Sequence, residues 1–366
     1  MSKGVRIALI VLTAGVLSAC GGDDRAADTD HELLHVSYDI AREIFRNIND
    51  AFIPYYEEQT GLRVSVEQSH AGSSRQARAV AAGLEADVVS MNQFLDIQLL
   101  HDATVDQPGG PIIPADWYTR YPNNSSPYSS TMAFVVRTGN PKEIHDWDDL
   151  IREDVQIVAP NYKTTGNGRF SYLTAWAFGL ERYADWRAEE EGRDPEELST
   201  AEREEAAAQF VQQILANTRV LAPGGRAATT AFVENNQGDV LLTFESEVNL
   251  IVQDLGPDRF EVVVPSYGID AVMYVVAVDA YAKEKGNLQV ARDYWDFIYT
   301  ERGQEIVAES YYRPYNQEVA ARYADLLPEL DLFDVEDVFG GWAQANQDHF
   351  VDGGSFDRLM QGLGRN

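Results

Sequence analysis

The stretch Leu33-Leu34-His35-Val36-Ser37-Tyr38-Asp39-Ile40-Ala41-Arg42-Glu43-Ile44 decides the fold. Leu33 to Ser37 is apolar-rich and has the length of a strand. From Ile40 onward the period changes: Ile40, Ile44, Ile48 and Phe52 recur at helical spacing, with Phe45 and Ala51 beside them. Asp39 stands at the junction, where its carboxylate is expected to cap the helix that follows. Arg63 to Glu67 then alternates as a strand, Ser73-Ser74 opens a helix with Ala77, Val80, Ala81 and Leu84 on one face, and Ala86 to Ser90 resumes strand. This is the rhythm of a parallel sheet, which gathers ligands at the carboxyl ends of its strands, beside the helix starts.

The junctions share a composition. Val36-Ser37-Tyr38-Asp39, Ser69-His70-Ala71-Gly72-Ser73-Ser74, Tyr162-Lys163-Thr164-Thr165-Gly166-Asn167-Gly168-Arg169 and Pro223-Gly224-Gly225-Arg226 all place small or hydroxyl residues between a strand-like and a helix-like run. The first amides of a helix have no internal partner and sit at the positive end of its dipole, so small residues there let an oxyanion reach the backbone. Ordinary capping uses the same residue types, so one such loop says little. Repetition is what points to one ligand held from several sides.

With 366 residues and 45% hydrophobic content, the chain is long enough for two domains. Its one long apolar run, Ile7 to Leu17 after Lys3 and Arg6, is too short to span a bilayer and reads as a secretory signal. It ends in Leu17-Ser18-Ala19-Cys20, which resembles the lipobox of bacterial lipoproteins. Cys20, the only cysteine, is therefore expected to be the lipidated first residue, with 1–20 as signal peptide and 21–32 as a polar tether. A single cysteine excludes an intrachain disulfide.

The formal charge of -30 argues against nucleic acid, whose phosphates this surface repels. It also opposes an anionic ligand, which local amides and dipoles must then attract. Lysine occurs only at 3, 142, 163, 283 and 285, and abundant acid with scarce lysine suggests a protein that works in brine. At about 1 M salt the screening length is roughly 3 Å, which removes the conflict.

Further along, Thr131 to Arg137, Val155 to Ala159, Arg219 to Leu221, Asp239 to Phe244, Phe260 to Val264 and Met273 to Val278 read as strands. Leu173, Trp176, Ala177 and Leu180 form a core stripe on one helix. Residues 183 to 208 read as a strongly acidic, solvated helical stretch with a capping box at Ser199 and Glu202.

The chain resembles the periplasmic sulfate-binding proteins of ABC importers. The likeness rests on Val36-Ser37-Tyr38-Asp39, Gln68-Ser69-His70 with Gly72-Ser73, Glu85-Ala86-Asp87-Val88-Val89, Gly139-Asn140-Pro141-Lys142, Ile144-His145-Asp146-Trp147, Pro160-Asn161, Gly238-Asp239-Val240-Leu241, Tyr311-Tyr312-Arg313-Pro314 and Val338-Phe339-Gly340-Gly341-Trp342. It implies an α/β, two-lobe periplasmic-binding-protein-like (type II) fold with a hinge and a mixed, mostly parallel sheet in each lobe. Lobe I is expected to comprise 33–131 and 265–366, and lobe II 132–264. It implies that the amides of Asp39, Ser73, Gly166, Asn167 and Gly225 and the hydroxyl of Thr165 hold sulfate or thiosulfate, with no cofactor, no metal and no cationic side chain on the ligand. It further implies a monomeric, exported receptor, lipid-anchored in the periplasm or on the outer membrane face, that serves an ABC permease.

One departure matters. Where the family has a tryptophan donating its indole N–H, this chain has Phe244, which donates nothing. A lost donor costs roughly 1 to 3 kcal/mol, or marks a ligand that accepts fewer hydrogen bonds, such as thiosulfate. Thr165 for serine keeps the hydroxyl, Asn167 for glycine keeps the amide where the backbone permits, and Gly225 for alanine is expected to cost only stiffness. Phosphate retains a proton near neutrality and asks for an acceptor, for which Asp39 is the only candidate acid. Molybdate is larger, and cavity size is not legible. An exported hydrolase is the reading from another class: His35, His70, His145 and His349 are potential bases, but none lies beside a nucleophile motif, and no cluster has metal-ligand spacing. Arg169 and Arg226 are expected to support their loops through nearby acids, and Lys163 to be solvated.

Overall fold

The computed structural model describes residues 29 to 365. Cys20, the signal segment and most of the tether lie outside the described residues. Along the chain the strands are β1 (His31–Tyr38), β2 (Val64–Ala71), β3 (Val88–Met91), β4 (Tyr128–Ser130), β5 (Met132–Arg137), β6 (Ile157–Pro160) and β7 (Thr218–Ala222). They continue as β8 (Val240–Phe244), β9 (Phe260–Val263), β10 (Gly268–Ile269), β11 (Ala271–Ala277), β12 (Arg313–Pro314) and β13 (Leu332–Phe333). The helices that position the site are α1 (Arg42–Thr60), α2 (Ser73–Ala81), α3 (Gly166–Phe178), α4 (Thr200–Asn217), α5 (Gly225–Val233) and α6 (Glu245–Leu255).

Two sheets form two lobes. The first runs β12-β4-β11-β3-β1-β2 and the second β7-β6-β8-β5-β9. Each is built on a parallel trio, β2-β1-β3 and β7-β6-β8, as alternating strand and helix segments require. The sheets are mixed, with two of five pairings parallel in the first and two of four in the second; the strands that carry the chain between lobes join antiparallel, β4 and β11 in the first sheet, β5 and β9 in the second. The chain leaves the first lobe between β4 and β5 at Thr131, a buried residue whose carbonyl accepts the Glu245 N–H at 2.8 Å. It returns between β9 and β11, where β10 pairs in parallel with β13.

Apolar spacing explains the packing. Ile44, Phe45, Ile48 and Phe52 of α1 are buried, and the Phe45 ring meets His35 of β1 edge-on at 4.2 Å. In the second lobe Phe134 of β5 meets Trp147 at 5.0 Å.

The lobe boundaries need one correction. After β13 the chain crosses a third time, so the end of the 265–366 segment packs on the second lobe. Tyr172 of α3 touches the rings of His349, Phe350 and Phe356, and Trp176 lies 4.5 Å from His349. Arg365 donates to the carbonyls of Leu215 and Thr218. Lys163, partly exposed, is ion-paired: its ammonium meets Asp357 at 2.8 Å and Asp352 at 3.0 Å. The aromatic face of α3 is too large for its own sheet to cover, and the terminal segment supplies the missing apolar surface. The acidic stretch 183–208 is also broken. A helix over Ala184–Glu190 ends before Gly192, whose φ of +70° reverses the chain, and α4 begins afresh behind the Ser199/Glu202 capping box. The inner face of α4 buries Ala207, Phe210, Val211 and Ile214, so only its outer face is solvated.

Candidate functional site

Strand register decides which loops meet. Ser37 of β1 pairs with His70 of β2 and with Ser90 of β3, so the residues two steps onward, Asp39, Gly72 and Asn92, emerge together at one edge of the first sheet. Asp39 opens a short 3-10 turn over Asp39–Ala41, Ser73 is the first residue of α2, and Asn92 precedes the helix Phe94–Asp102. In the second sheet Pro160 of β6 pairs with Ala222 of β7, and Val158 with Leu241 of β8. That register brings together Thr165-Gly166-Asn167 at the start of α3, Gly224-Gly225 at the start of α5, and Phe244 at the end of β8.

The two edges face each other across a closed cleft. Asp39 does not cap its own helix. Tyr38 holds the N-cap position of that turn without a side-chain bond, and the Asp39 carboxylate instead accepts the Arg226 N–H of α5 at 3.2 Å. The same carboxylate also lies against the N–H groups of Asp39 and Ile40 in its own turn. A carboxylate from the first lobe thus rests on a helix start of the second, where positive backbone potential favours it. Burial nevertheless raises the Asp39 pKa, only partly offset by the Arg226 N–H, by the Asp39 and Ile40 N–H groups and by the Arg226 charge.

The second lobe's face must be bare. A β-carbon on Gly166 would lie 2.0 Å from Asn92 Oδ1, and one on Gly224 would lie 2.6 Å from Asp39 Oδ2. On Gly225 it would lie 2.8 Å from Ile40 Cγ2. Gly225 is therefore more than a matter of stiffness, because even alanine there presses on the opposite lobe.

Thr165 caps α3. Its hydroxyl donates to the Asn161 carbonyl and accepts the Gly168 N–H, both at 2.9 Å, so in this structure its hydrogen serves the loop and not the cleft. Asn167 takes ordinary helical angles, and its amide group donates to Thr243 Oγ1 at 2.8 Å, tying α3 to the strand that ends in Phe244. The Phe244 ring is fully buried and lies edge-to-face with Phe170 at 5.7 Å. The backbone amides of Gly166, Asn167 and Gly225 all lie in a first helical turn, where the helix supplies no acceptor.

Charged side chains surround this centre. Arg226 pairs with Glu43 of the first lobe at 2.8 Å and stands 3.5 Å from Glu247 of its own. Arg169 donates to the Lys163 carbonyl and, across the cleft, to Gln93 Oε1, both at 3.0 Å. Arg313 and Glu245 form a further pair between the lobes at 2.8 Å. Burial raises the pKa of Glu245 and of Glu247, and Arg313 and Arg226 respectively oppose it. On the first lobe, His70 Nδ1 bonds the buried Ser37 hydroxyl at 2.7 Å, and its Nε2 bonds Gln68 at 2.6 Å. Burial, with Arg42 nearby, brings the His70 ring down to about 4, so it is neutral near pH 7 and holds the end of β1 beside Asp39.

Sequence reading missed Asn92, Gln93 and Glu43. A buried Asn-Gln pair at the end of an apolar strand was the available signal, since unpaired amides are seldom buried without purpose. Among the described residues there is no group of three or more metal-ligating side chains, and no helix is long and apolar enough to cross a membrane.

A family model of bacterial extracellular solute-binding proteins matches residues 42–313. The chain belongs to this family. It is 42% identical over 349 residues to a thiosulfate-binding protein of Pseudomonas aeruginosa, covering 95% of this chain and 96% of the relative. It is 41% identical over 333 residues to a sulfate-binding protein of Escherichia coli, covering 91% and 94%. Among solved structures, the sulfate-binding protein SubI of Mycobacterium tuberculosis superposes with a TM-score of 0.71 at 27% identity, covering 87% of this chain and 99% of that one. In this chain the cleft between the lobes is the place where register has gathered the glycine loops.

Proposed function

We propose that this protein captures a sulfur oxyanion, sulfate or thiosulfate, between its lobes and delivers it to an ABC permease. The observation that supports the reading is the close approach of helix starts of the second lobe, Gly166, Gly224 and Gly225, to Asn92, Asp39 and Ile40 of the first; on this reading the amides of Asp39, Ser73, Gly166, Asn167 and Gly225 meet one anion between them. The relatives named for thiosulfate and sulfate binding support it. The amides of these residues donate to the anion, Thr165 fixes the α3 start as its cap, and Phe244 walls the site without donating. Arg226 and Arg169 hold the loops in place and leave charge compensation to the backbone.

The energetics permit this. A hydrogen bond to a charged group contributes about 1.5 to 3 kcal/mol net, so five amides outweigh a binding cost of about 4 kcal/mol at the low end of its range. Micromolar affinity requires about -8 kcal/mol. With Phe244 in place of a donor, we infer that thiosulfate, with its weakly accepting terminal sulfur, binds at least as well as sulfate. The anchor at Cys20, a monomeric state and the absence of catalysis are part of the same proposal.

Calorimetric titration with sulfate, thiosulfate and phosphate tests it, alongside an assay for hydrolysis of a generic ester. Saturable one-to-one binding of a sulfur oxyanion without ester turnover is the expected result. Turnover without saturable anion binding overturns it.

A further inference from the structure

Asn92 has no role in the readings above, yet it occupies a position that few side chains tolerate. It is only 3% exposed, its Oδ1 has no hydrogen-bond partner, and its amide presses on the Cα of Gly166, where a β-carbon would lie 2.0 Å from Oδ1 and 2.9 Å from Nδ2. A buried amide oxygen without a partner is costly, so the fold retains it against a penalty. Gly166 and Asn167 open α3 and offer the amides proposed to meet the anion, while Asn167 is bonded to Thr243 beside Phe244. Asn92 therefore stands on the first lobe directly against the helix start proposed to hold the anion from the second.

We propose that Asn92 is a ligand-contacting, specificity-determining residue, whose amide N–H donates to the bound sulfur oxyanion from the first lobe. This deepens the function proposed above and rests on it. The chemistry is consistent: a carboxamide carries two N–H donors and one acceptor, and rotation about the terminal torsion turns either edge toward the ligand. Turned with Nδ2 inward, Asn92 is a neutral donor that needs no counter-ion. The contact forms only when the lobes close, because Asn92 and Gly166 lie on opposite sides of the cleft, so it contributes to the closed, liganded state and not to capture by the open one.

The test compares the full chain with Asn92→Ala and Asn92→Asp by calorimetry with sulfate and with thiosulfate, thermal unfolding serving as the control for folding. Asn92→Ala is expected to weaken the better-bound anion about tenfold, and Asn92→Asp, of the same shape but acceptor-only when ionised, to weaken both about 100-fold or more. If Asn92→Ala fails to fold, the aspartate variant carries the test. Wild-type affinity in the folded variants, within about twofold, overturns the role of Asn92 and leaves the function standing. Absence of binding to either anion by the unaltered protein overturns the function itself, and with it this inference.

Discussion

The two walls of the cleft are built on different terms. The first lobe presents side chains: Asp39 on the start of α5, Asn92 on the start of α3, Ile40 against Gly225, and Glu43 on Arg226. The second presents bare backbone at its centre, where Gly166, Gly224 and Gly225 leave no atom in the way, and side chains only around it, where Arg169, Arg226 and Glu245 reach across. An all-backbone wall on both sides would offer donors but nothing to set the depth of closure, and two walls of side chains would keep the amides apart. Insertion of one wall into the other lets amides approach a common centre while side chains fix how far the lobes travel.

The comparison breaks most readily at Gly225. Gly225→Val places branched methyls where a single β-carbon already meets Ile40 at 2.8 Å, so closure is blocked. The expected loss of anion affinity is about 100-fold or more by calorimetry, roughly 3 kcal/mol, with little change in thermal stability of the open form. Affinity retained at the wild-type level would mean that the lobes do not meet there in the bound state.

The bare wall is supported from behind, where His349 lies among Tyr172, Trp176 and Phe339 under α3. Burial brings the His349 ring down to about 4 from an ordinary value of 6.5. Between these values the unfolded chain takes up a proton that the folded one does not, so this contribution is complete above pH 6.5 and is lost as pH falls toward 4. Chemical denaturation at pH 7 and pH 4.5 is expected to show wild type losing about 2 kcal/mol more than His349→Gln over that interval. Equal losses would place the ring in water.

Gly166→Ala sharpens the pairing of the two walls. Its β-carbon meets the far end of a side chain, which can move at a cost, so we expect an affinity loss of about tenfold that Asn92→Ala partly relieves in the double variant. Strictly additive effects would separate the two residues. The smallest effect is expected of Glu43→Gln. Its partner Arg226 is 43% exposed, so the pair is screened by water and salt, and a loss of about two- to threefold, fading at high salt, is anticipated.

What could be read in advance followed the range of the interactions. The change of period after Ser37, the Ser199/Glu202 box and the glycine loops are local, and the corresponding strands and helix starts lie within a few residues of their expected places. Besides the N–H groups of its own turn, the Asp39 carboxylate reaches that of Arg226, distant in sequence, which no local pattern announces. The acids that pair with Lys163 likewise lie in the terminal segment that crosses back to the second lobe.

By itself, then, the sequence determined where each helix begins and that these beginnings are small or hydroxylated, because capping and periodicity act within one or two turns. Only the tertiary structure decided which beginnings face one another, that Asn92 meets Gly166 and Asp39 meets Arg226, and that the last residues cover α3. Those outcomes depend on strand register and on closure of the two lobes, which join residues far apart in the chain through packing that no local pattern encodes.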